Sequence, residues 1–469
     1  MGRTRTSSDV ELLVELDRDG AEPLHRQLEA NLRSGIRDGR LAAGTILPST
    51  RGLATQLRVS RGIVVEAYEQ LVAEGFLDAK AGGATRVARG ATSTTVVRAD
   101  LAMPSWPFDF RPGRPDVTEF PRAAWLRSVR RVLAEAPADR FSYLGGRGAP
   151  ELRIALAGYL NRVRGMAVAP ETVVVSTGFI QGLGLAARSL AARGARRMAV
   201  EDPSDAEYRR SILEGGLEVV PVPVDDAGIL VDRLEAADVD AVLVTAAHQY
   251  PTGGVLPPER RAALVDWADR RSGWVVEDDY DAEFRYDREP IGALQGLRPE
   301  RVIYTGSASK TLAPGLRLGW IAAPPVLVDA LTDAKLAADH GSPVIDQLAL
   351  ADFIGHGELD RHLRRMRPIY RARRDALLAA MARHLPELRP VGASAGLHVL
   401  AWLPQGDDES AILAAADAAG IGMSGIKARW ITGDGRQGLV FGYGLIREER
   451  IDEGVARLAE VIAEVRAAR

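Results

Sequence analysis

The sequence predicts an α/β protein in two unequal parts: a small helical head, then a large domain built on a mostly parallel sheet. Three observations predict this. Residues 23–73 carry apolar stripes at helical spacing. From about residue 109 onward, apolar runs rich in β-branched residues alternate with helical segments, the pattern of strands covered on both faces. Charge is unevenly placed: residues 21–90 are net +3, residues 1–20 net −2 and residues 91–469 net −4.

The composition excludes several classes. At roughly 150 residues per domain, 469 residues suggest two or three domains. A chain that is 46% hydrophobic and 26% charged, with net charge −3, is neither disordered nor fibrous. It has no cysteine, so disulfides and thiolate catalysis are excluded, which fits a cytoplasmic protein. No apolar run approaches the ~20 residues of a membrane span, so no membrane partner is expected. The opening, MGRTRTSSDVELLVEL, lacks the apolar segment of a secretion signal. Of 60 basic residues only Lys80, Lys310, Lys335 and Lys427 are lysine. Where arginine is the habit, a lysine in a hydroxyl-rich turn stands out, because lysine can lose its proton and form an imine.

Residues 1–20 read as a tail. In 23–40, Leu24, Leu28, Leu32 and Ile36 form one helical stripe, opened by Pro23 and closed near Gly39. Ser49 is placed to cap a short helix from Thr50 to Leu57. Ser60 is placed to cap a second, from Arg61 to about Glu74, with Ile63, Ala67 and Leu71 buried. Two short helices with a tight turn between them read as helix-turn-helix. LDAKAGGATRVA then predicts two short strands around Gly82-Gly83, a wing. The expected partner is double-stranded promoter DNA. Arg61 sits in the first turn of the recognition helix, where arginine pairs with guanine in the major groove. Ser49, Arg51 and Ser60 are placed for phosphates, and Gly83 for a minor groove. This domain is assigned to 21–89. Residues 90–108, GATSTTVVRADLAMPSWPF, hold no sustained period and read as a linker.

The large domain occupies 109–469. Strands are expected at 173–177, 197–202, 217–222, 241–246, 274–279, 301–306 and 316–322, with helices between, for example 259–271. Ligands of such sheets sit at strand C-terminal ends. There the polar punctuation falls: Ser176-Thr177-Gly178, Glu201-Asp202-Pro203, His248-Gln249-Tyr250, Asp278-Asp279-Tyr280, and Ser307 through Lys310. In YTGSASKTLAPGLRLGW, Lys310 lies among hydroxyls with Arg317 seven residues on, which suits pyridoxal 5'-phosphate (PLP). The Lys310 amine would form the Schiff base, and Arg317 would clamp the phosphate with paired donors. Ser307 and Ser309 supply hydroxyls, and Gly178 opens a helix whose N-terminus attracts phosphate. Asp278 is the candidate for the pyridinium nitrogen and Tyr280 for the ring's phenolic oxygen. Each alone has a plain structural reading: a solvated lysine, a capping aspartate, a packed tyrosine, a satisfied His248. Their joint occurrence points to the cofactor. No metal site is expected.

The motifs also carry a resemblance. L-P-S-x-R, L-A, V-S-R, A-Y-x-x-L and E-G-F, in order over 21–88, resemble the winged helix-turn-helix of the GntR family, which implies Arg51, Arg61 and Gly83 as leading DNA contacts. S-x-x-K-x(6)-R, H-Q-Y-P-T-G, E-D-D-Y-D-x-E-F-R-Y and R-H-L-R-R-M-R-x-x-Y (361–370) make residues 109–469 similar to fold-type I PLP enzymes, the aspartate-aminotransferase superfamily. A GntR reader ahead of such a domain resembles the MocR regulators. The resemblance implies a fold of class α/β, with an N-terminal winged helix-turn-helix plus a large fold-type I PLP-dependent aminotransferase-like domain. It implies Lys310, Asp278, Tyr280, Arg317 and Ser307 in the roles above, with Asp279 as second choice for the ring nitrogen. Phe179, Ile180, His248 and Tyr250, on the same strand ends, complete the expected cofactor shell. It also implies a homodimer, with Tyr143 of Y-x-x-x-x-G reaching the neighbour's phosphate.

Three departures from that pattern matter. Asp205, in EDPSD, stands where relatives place an aromatic on the cofactor ring, which leaves Tyr208 or Phe179 to stack there. Phe179 and Ile180 intervene between Gly178 and Gln181, so one side-chain phosphate contact is lost. In QGLVFGYG, Val440 occupies the position of the arginine that binds a substrate carboxylate, and Arg436 is the neighbour able to compensate. A buried carboxylate without a cation is costly, so the site is better equipped for PLP than for an amino acid. The resulting expectation is a MocR-type regulator with PLP as cofactor and effector, similar to the group's regulators of vitamin B6 synthesis (PdxR-like), with transaminase activity impaired or absent. The rivals are an active aminotransferase with an accessory DNA-binding head, a regulator sensing an amino acid or amine through PLP, and a dimerisation scaffold without a working site.

Overall fold

The computed structural model describes residue 14 and residues 16–79, 83–89, 105–286, 291–433 and 435–468. The chain divides into two compact units, Met1–Met103 and Pro104–Arg469. Most of the expected linker and the Gly82 side of the wing lie outside the described residues. Residues 105–108 are described, and Phe108 already belongs to a strand of the second unit, Phe108–Asp109 paired with Ile421–Gly422.

Among the described residues, the first unit is three helices and a two-stranded wing. Helix α1 (Leu24–Arg37) buries Leu28, Leu32 and Ile36, with Leu24 half-buried. Helix α2 (Thr50–Leu57) starts at Ser49, whose hydroxyl accepts from the Gly52 amide at 3.1 Å. Helix α3 (Arg61–Ala73) buries Val64, Ala67, Tyr68 and Leu71. Ala67 and Leu71 are buried as expected, but at the first position of the stripe Val64 is sealed and Ile63 only half-buried. The Tyr68 hydroxyl donates to the Pro48 carbonyl at 3.0 Å and pins that register. Ser60 occupies the N-cap position of α3, but its side chain makes no capping bond. Leu77–Asp78 and Arg86–Val87 pair antiparallel as the wing.

The second unit is built on an eight-stranded sheet. Its order is Val173–Ser176, Gly319–Ala322, Val302–Ser307, Trp274–Asp278, Ala241–Val244, Arg197–Asp202, Glu218–Asp225 and Gly228–Ile229. All seven expected strands are present, and their pairing is parallel except at Gly319–Ala322 and the terminal Gly228–Ile229. Alternation along the strands covers both faces. Val242 and Val244 pack with Leu264 and Trp267 of the helix Pro258–Arg271. Leu243, between them, packs with Leu183 and Leu190 of the helix Phe179–Ala192 on the opposite face. A smaller antiparallel sheet, ordered Arg389–Val391, His398–Trp402, Gly438–Gly442 and Ser424–Gly425, follows toward the C-terminus. No helix among the described residues is long and apolar enough to cross a membrane.

Candidate functional site

The C-terminal ends of the sheet strands surround a cavity of about 300 Å³. Lys310, Asp278, Tyr280, Arg317, Ser307, Ser309, Phe179, Ile180 and Tyr250 all line it. Lys310 follows the strand Val302–Ser307, and its Nζ donates to the Gly113 carbonyl at 2.6 Å. Burial pushes its ammonium below the usual lysine range, against the pull of Asp278 and Asp281. A lysine that gives up its proton more readily is a better nucleophile for a carbonyl carbon.

Asp278 ends the neighbouring strand and is 2% exposed. Its Oδ2 accepts from the Tyr208 hydroxyl at 2.9 Å, while its buried Oδ1 has no hydrogen-bond partner. Burial raises its carboxyl well above the usual range, against the Tyr208 bond. The next residue, Asp279, turns the other way: both its oxygens are held by Arg164, at 2.7 and 3.0 Å, and Oδ2 also by the Tyr304 hydroxyl. Alternation along the strand thus separates the doublet, with Asp278 in the cavity and Asp279 in a buried ion pair.

Gly178 has φ +125°, and a Cβ there would lie 3.1 Å from Nη2 of Arg317. The absent side chain lets the guanidinium lie against the start of the helix Phe179–Ala192, whose amides open toward the same place. Arg317 itself holds φ +52°, uncommon for a residue with a side chain. The Ser307 Oγ accepts from the Ser309 amide at 3.4 Å. These residues fit PLP: a buried carboxylate oxygen with no partner suits a protonated ring nitrogen, and a glycine-walled arginine suits a phosphate.

Other expected residues fall elsewhere. His248 stands behind Tyr280, with its Nδ1 3.0 Å from the Tyr280 hydroxyl and 2.9 Å from Asp281 Oδ2. Tyr143 is 94% exposed, outside this chain's cavity. Val440 is buried against Leu400 and Ile426. Arg436 is exposed and stacks over the Trp402 ring at 4.8 Å, so it does not compensate at the cavity. The cation near the wall is instead Arg429, whose Nη2 donates to the Tyr250 hydroxyl at 2.9 Å. It arrives from a short turn, Lys427–Arg429, with no motif to flag it. Asp205 caps the helix Ala206–Glu214 through the Glu207 amide and lines the cavity. Phe179 and Tyr208 both line it, ring edge to ring face at 5.0 Å. The Tyr208 hydroxyl is committed to Asp278.

In the first unit, Ser49, Arg51, Ser60, Arg61 and Gly83 are all exposed. The Arg61 Nε donates to the Thr50 hydroxyl at 3.3 Å, which links the first turns of α3 and α2. The Ser49 hydroxyl is already used as a cap.

Residues 24–87 match the gntR family of bacterial regulatory proteins, and residues 115–436 match the class I and II aminotransferases. The chain is 34% identical to the "Probable rhizopine catabolism regulatory protein MocR" of Rhizobium meliloti, over 95% of each chain. It is also 34% identical to the "HTH-type pyridoxine biosynthesis transcriptional regulator PdxR" of Corynebacterium glutamicum, over 93% of this chain and 95% of that one. Among solved structures it is similar to the multiple substrate aminotransferase of Thermococcus profundus, with a TM-score of 0.71 at 28% identity, covering 77% of this chain and 92% of that one.

Proposed function

Because this chain belongs to the MocR group of gntR-family regulators, a DNA-binding head joined to an aminotransferase class I and II domain, we propose that it is a transcriptional regulator that senses PLP. The second unit binds PLP at Lys310, and occupancy biases the binding of the first unit to promoter DNA. One observation carries the reading: a single cavity is lined by Lys310 and by Asp278, whose buried Oδ1 has no hydrogen-bond partner.

When bound, PLP supplies an aldehyde for an amine and a ring that withdraws electrons. The chain's own residues do the rest. Asp278 holds the ring-nitrogen proton at Oδ1, while Tyr208 on Oδ2 fixes the carboxylate's rotation. Arg317, Ser307, Ser309 and the amides after Gly178 take the phosphate. Phe179 and Tyr208 wall the ring, and Tyr280 faces the phenolic oxygen. An effector shifts an equilibrium only by its difference in affinity for two states, so PLP acts by binding one arrangement of the regulator more tightly. The pyridoxine-biosynthesis relative supports vitamin B6 synthesis as the controlled process. We place the protein in the cytoplasm as a homodimer. Leu126, Leu133, Phe141 and Tyr143 are exposed apolar side chains of the kind a second copy would cover.

The test is borohydride reduction of PLP-saturated protein, followed by peptide mass spectrometry and by DNA binding with and without PLP. The expected result is a reduced adduct on Lys310 and a PLP-dependent change in promoter affinity. Absence of the adduct overturns the reading. A second reading has Arg429 behind it: that guanidinium at the Tyr250 wall gives an amino-acid carboxylate a partner. A panel of amino acids added to the PLP form tests it, with a spectral change for one of them as the favourable result.

A further inference from the structure

We propose that His248 and Asp281 hold a shared proton behind Tyr280, and that this proton turns the Tyr280 hydroxyl into a donor toward the cofactor cavity. The inference rests on the reading that PLP occupies that cavity. It makes His248 and Asp281 positioning residues for the ring's phenolic oxygen.

The hydrogen-bond inventory around one imidazole forces the proposal. His248 Nε2 lies 3.2 Å from the Gly392 carbonyl oxygen. A carbonyl only accepts, so Nε2 carries a hydrogen. A neutral ring then has only a lone pair at Nδ1. Yet Nδ1 faces Asp281 Oδ2 at 2.9 Å and the Tyr280 hydroxyl at 3.0 Å. A lone pair against a carboxylate at that distance is repulsive. Moving the ring hydrogen to Nδ1 leaves a lone pair against the Gly392 oxygen instead. One additional proton on the line between Nδ1 and Oδ2 satisfies both acceptors.

The surroundings are built to keep that pair closed. Both side chains are almost fully buried. Gly396, at φ +78°, passes so close that a Cβ there would lie 2.3 Å from Asp281 Oδ2 and 2.3 Å from His248 Cε1. The His398 ring lies tilted 4.9 Å from that of His248 and donates from Nε2 to the Pro251 carbonyl. Burial holds His398 well below the usual histidine range, so it brings no competing charge. Lys310, Asp278, Tyr208, Tyr250 and Arg429 are among the other ionisable groups around this corner; buried Arg285 donates to the Ala247 carbonyl, and the Tyr286 and Tyr443 hydroxyls both donate to the Gly396 carbonyl. Asp278 is engaged by Tyr208 and Tyr250 by Arg429, while the Lys310 amine bonds the Gly113 carbonyl.

With the shared proton in place, Nδ1 has no lone pair for Tyr280. Its hydroxyl hydrogen then points into the cavity. A donor at the phenolic oxygen favours the ionised form of that oxygen, and so lowers the pH at which the bound cofactor's visible band converts. Without the proton, Tyr280 donates to His248 instead and the favour is lost.

Asp281→Asn separates this from plain electrostatics by sign. Removing a carboxylate near the lysine–cofactor nitrogen would lower the conversion midpoint through charge alone. Releasing Tyr280 to His248 raises it, by about one pH unit. Spectral titration of the PLP-loaded full chain is expected to show a rise for Asp281→Asn and for Tyr280→Phe, with the double variant no higher than Tyr280→Phe. A fall or no change for Asp281→Asn overturns the proposal. Proton and nitrogen NMR of the cofactor-free full chain reads the same proton directly. A strongly deshielded resonance coupled to the His248 ring, absent from His248→Gln, is expected, and a bare acceptor at Nδ1 overturns the proposal. If PLP fails to bind at all, the functional reading falls while the NMR arm still decides this one.

Discussion

At the scale of single residues, the proposed cofactor binding turns on Asp278. Its carboxyl is buried and its Oδ1 unpartnered, so the folded protein bears a desolvation cost that a protonated ring nitrogen offsets. A hydrogen bond to a charged group is worth about 1.5–3 kcal/mol. Asp278→Ala is therefore expected to weaken PLP binding by roughly 10–100-fold, read by absorbance titration; an unchanged Kd removes Asp278 from the site. Glu201 makes a separate pH prediction. Burial raises its carboxyl to about 7 from 4.5, against the bonds from Thr245 and Gln249. A raised carboxyl favours the protonated folded form, so its contribution is full below the unfolded value and lost as pH rises through 7. Glu201→Gln removes the titration. Urea unfolding at pH 5 and pH 8 is expected to show the variant gaining on wild type at the higher pH, by a few kcal/mol at most. A difference that does not move with pH contradicts the assignment.

At the scale of elements, local bonds explain both what the sequence made legible and what it hid. The seven long strands announce themselves because sheet burial on both faces needs unbroken apolar runs. The polar residues after them stand out for the same reason, and Lys310, Asp278, Tyr280 and Arg317, which line one cavity, are among them. The smaller sheet has strands as short as Ser424–Gly425, too brief for any period, so Arg429 and its route to Tyr250 were invisible. Asp281 and His398 meet His248 only across the fold, a contact that spacing along the chain does not encode. In the head, Ile63 and Val64 are equally apolar, and Val64 faces inward on the helix face it shares with Ala67, Tyr68 and Leu71. The two serines that looked alike differ: Ser49 caps α2 and Ser60 caps nothing. Ser49→Ala is expected to cost about 1 kcal/mol and Ser60→Ala a few tenths. Hydrogen exchange of the α2 amides checks this, with protection falling for the first variant and holding for the second. Equal effects would mean the Ser49 bond is absent in solution.

At the scale of the whole molecule, the two compact units carry different chemistry, and a regulator requires that each do its own work before either affects the other. The head presents Arg61 and Arg51 to solvent at the start of neighbouring helices, where arginine forks can reach base edges and phosphates. The second unit holds a cavity of a cofactor's dimensions between strand ends. A division of labour of this kind predicts separable defects. Arg61→Ala removes one bidentate base contact, worth about 1–3 kcal/mol, and should weaken promoter binding by roughly 10–100-fold. The discrimination against altered operator sequence should relax with it, whereas Arg51→Ala, a phosphate contact, should weaken all sequences alike and reduce the salt dependence. The visible cofactor band of both variants should match wild type, since neither residue lies in the unit proposed to bind PLP. Electrophoretic mobility shifts over a salt series, run beside the absorbance spectrum of the same samples, test this. Unchanged promoter affinity for Arg61→Ala would move the recognition surface to another face of the head. A lost cofactor band would mean that the two units do not divide the work as their separate folds imply.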